Sequence, residues 1–260
     1  MDEQSRLFPL RLASGTALAN RVERALRRTG AALTLTVAGA VFTLLAVPAL
    51  AGESQTELVP EINAFVQLSD TTRLYFRADL TRNLTEDTSD GLIGVHLDIT
   101  IKPILRRKLR EADWERDRYF WMRIGYQLLG NLDGEGWGST EDRGIIEATG
   151  RAPLPVKFWL VNRIRVDLRY METDFSARFR ERLGIERQVV VFGVITVPYA
   201  EAEIFYDTRY DAWNQQRYQA GAEIGLTERW RIEPYYARQE NQRSKPAHLN
   251  IVGFIVKSYW

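Results

Sequence analysis

Phe158 to Arg169 reads FWLVNRIRVDLR, with Phe158, Leu160, Ile164, Val166 and Leu168 alternating against Arg163, Arg165, Asp167 and Arg169. That is a period of two, which an amphipathic helix does not produce. Successive side chains of a strand point to opposite sides of the sheet, so this segment has one oily face and one ionic face. Its length suits a tilted strand crossing a bilayer, which needs about ten residues.

The same pattern extends in both directions. Downstream, Phe179, Leu183 and Ile185 alternate with Arg178, Arg180 and Arg182, although Glu181 falls on the apolar side. Ala200, Ala202, Ile204 and Tyr206 oppose Glu201, Glu203 and Asp207; Tyr218, Ala220, Ala222, Ile224 and Leu226 oppose Arg217, Gln219, Gly221 and Glu223. Trp230, Ile232 and Tyr236 oppose Arg231 and Glu233. Upstream, residues 71–84, 91–101 and 118–129 alternate in the same way, with weaker strands at 59–68 and 142–152. The expected fold is all-β, an antiparallel up-and-down transmembrane β-barrel. About eleven segments are visible, and the even number usual in such barrels makes twelve the expectation. The twelfth is expected from a short strand before Val59 or from residues 189–197; the count falls to ten if residues 59–68 do not span.

Turns support a meander. Ser69-Asp70, residues 153–155 and Thr227-Glu228 are tight, whereas residues 85–90, the Gly-rich 131–140 and 241–246 are longer links. Residues 103–115 break the alternation, and Leu105, Leu109 and Trp114 are spaced as in a short interfacial helix or lie in a solvated loop.

Residues 1–51 are a separate unit. An uncharged apolar run, 31–51, follows Arg24, Arg27 and Arg28 and ends in the small-x-small box Ala49-Leu50-Ala51. This is a secretory signal pattern with cleavage after Ala51. The run is long enough to anchor a chain in a bilayer, but Pro48 and the polar Gly52-Glu53-Ser54-Gln55 favour its removal. Residues 52–260 then form the barrel domain.

Alternation alone does not say which face is inside, and a soluble periplasmic barrel binding a small ligand would show it too. The other end of the chain helps. Val252, Phe254, Val256, Ser258 and Trp260 share one face, so an aromatic closes the polypeptide. Such an ending resembles the signal by which bacterial barrel-assembly machinery recognises its clients, with Phe254, Val256 and Trp260 as its residues. Tyr170, Tyr206, Tyr210, Trp213, Trp230, Tyr236 and Trp260 fall near expected strand ends, where interfacial girdles sit. The partners expected are outer-membrane lipid and the assembly machinery.

Residues 198–260, PYAEAEIFYDTRYDAWNQQRYQAGAEIGLTERWRIEPYYARQENQRSKPAHLNIVGFIVKSYW, preceded by RFRERLGIER at 178–187, resemble the outer-membrane barrel family catalogued as domain of unknown function 2490. From Leu58 onward the likeness is one of strand rhythm. The resemblance implies a β-barrel and an outer-membrane location, and it implies no activity.

With the apolar face toward lipid, Arg163, Arg165, Arg169, Arg178, Arg180 and Arg182 line the lumen on two strands, and Glu201, Glu203, Asp207 and Glu223 line it on the next two. Opposite charges either pair across the bore or flank a narrow, water-filled channel with a transverse field. A lipid-acting barrel enzyme is the alternative class. Its materials are poor, since the chain has two histidines, His96 and His248, the second near Ser244. No catalytic residues are therefore assigned and no enzyme is expected. Composition agrees: 260 residues, net charge +1 and no cysteine do not describe a nucleic-acid-binding protein or a disulfide scaffold. No cofactor is expected and no metal site is assigned. Asp207 and Asp211 are candidate calcium ligands, but ion pairing with Arg209 and Arg217 is their more ordinary fate.

Overall fold

The computed structural model describes residues 54–100, 118–134, 136–171 and 174–260. The signal segment 1–51 and the helical reading of 103–115 lie outside the described residues. The strands are β1 (Ser54–Gln67), β2 (Thr72–Asn83), β3 (Thr88–Thr100), β4 (Phe120–Gly134), β5 (Gly136–Pro153), β6 (Phe158–Met171), β7 (Asp174–Arg187), β8 (Val189–Val191), β9 (Val194–Asp207), β10 (Ala212–Gly225), β11 (Trp230–Asn241) and β12 (His248–Tyr259).

Each strand pairs antiparallel with its neighbour in a meander, and β1 closes the barrel against β12. The closing pair is parallel, running from Ser54↔His248 to Phe65↔Tyr259. Parallel closure is what an odd number of staves demands, because the first and last strands then run the same way. Eleven strands make the wall. The twelfth is the three-residue β8, whose pairing Val189↔Thr196 continues the register of Glu186↔Tyr199 between β7 and β9. It is the tip of β7 carried past a break at Gln188; among the described residues the first strand spans from Ser54 and pairs directly with β12.

One difference from the sequence reading concerns 131–140, expected as a long link. There β4 and β5 continue as a paired ladder, with register shifts between Leu129 and Gly130 and between Asn131 and Gly134. Backbone pairing outweighs the weak strand preference of the glycines, and bulges absorb the irregular register.

The surface is inverted relative to a soluble barrel. Ile62, Ile93, Ile124, Ile146, Ile164 and Leu183 are exposed on the outer face, while Arg73, Asp98, Asp167, Glu203 and Asp207 are buried inside. An oily exterior over an ionic interior is the arrangement of a membrane-spanning barrel. Glu181 does face outward, where Asn162 Nδ2 donates to its Oε1 at 3.3 Å, so two polar side chains on the outer face satisfy each other. Aromatic pairs lie near both rims: Tyr170–Phe175, Phe179–Tyr206 and Tyr206–Trp213 toward one, Trp230–Trp260 at the other. Tyr236 departs from the expected girdle, since it sits mid-strand opposite Val252 and donates its hydroxyl to Asn250 Oδ1.

Candidate functional site: a charged lumen

The lumen is built from the β6 row outward. Register sets Arg163 opposite Arg182 and Arg165 opposite Arg180 on β7. Like charges directly opposite repel, so carboxylates must come from the strands on either side. From β9, Glu203 lies opposite Arg182 and Asp207 opposite Arg178; from β5, Glu147 lies opposite Arg165. Each carboxylate is shared. Glu203 accepts from Arg180 at 3.0 and 3.1 Å, from Arg182 at 3.0 Å and from Arg163 at 3.2 Å. Asp207 is held by Arg169, Arg178 and Arg209, each at 3.0–3.3 Å. Asp167 bridges Arg165 at 2.5 Å and Arg180 at 3.4 Å, and Glu201 pairs with Arg182 at 2.5 Å.

The network continues to β2. Asp98 binds Arg73 at 2.8 Å and Arg123 at 2.6 Å, and Arg123 reaches toward Glu147 at 3.7 Å. On the far wall, Arg77 holds Glu61 at 2.8 Å and Asp79 at 2.7 Å, while Lys257 bridges Glu223 at 2.7 Å and Glu233 at 2.5 Å. Among the described residues these ion pairs join strands at most two apart around the wall. These pairs run laterally along the wall and do not cross the bore.

A cavity of about 440 Å³ therefore remains between the walls. Arg143, Arg163, Arg178 and Arg217 line it from β5, β6, β7 and β10, and Glu57, Glu61, Asp79 and Asp90 from β1, β2 and β3, where Arg77 also reaches it. Arg217 is the distinctive member. Its guanidinium donates to Gln239 Oε1 at 3.1 and 2.5 Å and lies 5.6 Å from the Phe205 ring centre, and among the described residues it has no carboxylate partner within 4.0 Å. A second cavity of about 230 Å³ lies near Trp121, Glu147 and Glu201.

All ten residues expected to line the lumen, Arg163, Arg165, Arg169, Arg178, Arg180, Arg182, Glu201, Glu203, Asp207 and Glu223, carry buried or half-buried side chains on the inward face. Arg143 and Arg217 join them at the larger cavity, and Arg123 spans from Asp98 toward Glu147. Inward position at period two marks them in the sequence, but only register shows which carboxylates reach them. Of the pairings expected for Asp207 and Asp211, Arg209 does hold Asp207, but Arg217 reaches neither: Gln239 takes it, while Tyr206 donates to Asp211. His96 is buried, stacked on Tyr75 at 4.7 Å and pressed against Gly125, where a Cβ would meet its ring at 2.1 Å. His248 Nδ1 has no hydrogen-bond partner among the described residues. Phe254, Val256 and Trp260 lie on the outer face, with Trp260 edge-on to Trp230 at 6.4 Å.

The family described as "Protein of unknown function (DUF2490)" matches residues 111–250. The chain belongs to this family. The match reaches far upstream of Pro198 and covers β4 through the start of β12, so the whole arginine wall of this DUF2490 protein lies within it. No curated protein sequence matches the chain. Among solved structures it is similar to the beta domain of the Bordetella autotransporter BrkA, at 14% identity and TM-score 0.41, covering 68% of this chain and 80% of that one. It is also similar to LpxR from Salmonella typhimurium, at 8% identity and TM-score 0.41, covering 74% and 84% respectively.

Proposed function

We propose that the protein resides in the bacterial outer membrane and forms a narrow channel, with a charged lumen, for small acidic solutes. The observation that carries this reading is the space between the walls: the charges pair sideways, and the cavity keeps both a guanidinium, Arg217, whose own partner is the Gln239 amide, and the carboxylates of Glu57 and Asp90 in its lining. A transverse field in a low-dielectric bore concentrates and orients charged solutes, and a guanidinium recognises a carboxylate through paired donors. The oily outer face and the export signal expected at 1–51 support the location.

Single-channel recording in planar bilayers tests the proposal. Small conductance steps are expected, with an anion preference under a salt gradient that weakens in Arg217→Gln and in Arg163→Gln. Absence of conductance above the protein-free background, or a preference unchanged by both substitutions, overturns it in favour of a closed structural barrel.

A further inference from the structure

The hairpin formed by β8 and the start of β9 serves neither the wall nor the lumen. It rises past the rim that also carries Trp260 and the turns Ser69-Asp70 and Thr227–Arg229. Its sequence is VVVFGVI, residues 189–195. Val190, Val191, Val194 and Ile195 are exposed, and Phe192 at the tip is fully so. Both faces are apolar: Val191 and Val194 continue the outer face, while Val190 and Ile195 continue the lumen face above the rim.

The turn itself is built against local preference. Phe192 and Gly193 both have positive φ, 50° and 82°. That pattern suits a two-residue hairpin turn, whose first position ordinarily takes Asn, Asp or Gly. A bulky residue in the left-handed region is strained, yet the tip carries Phe fully exposed. Fold stability does not account for that choice.

Behind the hairpin lies a groove of about 670 Å³, whose apolar lining includes Leu154, Phe158, Val189 and Val190, and whose wall also holds the Arg151–Glu186 ion pair and Arg187 over the Phe158 ring. Lys157 stands at its edge, exposed and with no ion pair among the described residues. A rim slot with apolar side chains along it, its one carboxylate already paired with Arg151, and a cation at its mouth is complementary to an acyl chain with an anionic headgroup.

We propose that this hairpin is a lipid anchor: Phe192 and its valine neighbours insert into the adjacent leaflet, and the groove behind them seats an anionic phospholipid with Lys157 at its phosphate. The leaflet covers the outer face of the hairpin and the seated lipid covers Val190, so both apolar faces are accounted for.

The chain has no cysteine, so Phe192→Cys can carry a single environment-sensitive fluorophore. In vesicles of phosphatidylglycerol and phosphatidylethanolamine, the probe is expected to emit to the blue, to be quenched by nitroxide-bearing lipid and to resist aqueous iodide. A probe at Thr227→Cys, on a polar turn of the same rim, should behave oppositely. Iodide quenching at position 192 overturns the anchor, and so does shielding from both quenchers, which would assign the hairpin to a protein contact. Native mass spectrometry of the folded barrel released from the same vesicles is expected to show bound phosphatidylglycerol in excess, and the excess should vanish in Lys157→Glu. Undiminished preference in that variant overturns the seat. Phe192→Asn separates the roles, since it should fold at least as well as the parent and still lose vesicle-dependent protection of the hairpin from protease.

Discussion

The arginine wall and the closing seam are held together by different means, although both belong to one sheet. Between β5 and β9 the strands are joined by hairpins, and the inner face is given over to guanidinium–carboxylate pairs. Between β11, β12 and β1 the inner face is partly apolar: Val59, Ala237, Leu249 and Ile251 form a buried cluster with Tyr235 against it. Phe65 stacks on Tyr259 at 5.0 Å across the parallel junction and on Tyr75 at 4.7 Å beyond it. Trp260 takes part, its N–H donating to Phe65 O and its carbonyl O accepting from Gln67 N–H. A parallel ladder is slightly weaker per residue than an antiparallel one, and at this seam no loop joins the two strands. Apolar packing and ring stacking reinforce the ladder there, whereas looped strands can commit their inner face to charge.

The largest effect is expected in the wall. Glu203→Ala leaves Arg163, Arg180 and Arg182 facing one another without their shared carboxylate, and removing one partner of a buried ionic cluster costs about 3–5 kcal/mol. Urea unfolding in detergent micelles, followed by tryptophan fluorescence, measures it. A loss below about 1 kcal/mol would mean that lumen water screens these charges as it does surface pairs, and the contrast with the seam would collapse.

The seam is expected to come second. At Gly253 an added Cβ would lie 2.2 Å from the Tyr235 ring, so Gly253→Val must displace that ring at an overpacking cost of about 1–3 kcal/mol. Tyr235→Leu in the same chain should recover part of the loss, and simple additivity of the two changes would show that the contact does not matter. Phe65→Leu keeps an apolar side chain but ends both ring stacks, for about 1 kcal/mol.

How much of this was readable beforehand follows from what period two can and cannot say. It assigns a residue to a face, so the Arg163–Arg169 row and its neighbours declare themselves as one surface, and the export signal with the terminal aromatic argues which surface meets lipid. It does not say where a strand begins. Ser54-Gln55-Thr56 carry no apolar alternation, yet they pair in register with His248-Leu249-Asn250, and eleven alternating segments close as an odd, parallel-joined barrel where the even number usual for such folds points to twelve. Nor does it name partners across strands, because those depend on stagger. Arg217 reads like any other lumen residue until register places it between Glu203, which three other arginines already hold, and Gln239, which takes its guanidinium.

The smallest stability effect should come from the residue with the largest proposed functional weight. Arg217 contributes one amide-partnered guanidinium to the larger cavity, so Arg217→Gln breaks no ion pair and exchanges one amide-compatible donor for another. Its unfolding free energy should stay within about 0.5 kcal/mol of the parent, while anion preference in bilayer recordings falls. Lost attraction to Glu203, which lies opposite on β9, and relieved repulsion from Arg180, which shares the Phe205 ring, offset each other in the variant. A loss as large as that of Glu203→Ala would instead make Arg217 a structural member of the wall, and the charge left facing the cavity would no longer argue for a solute.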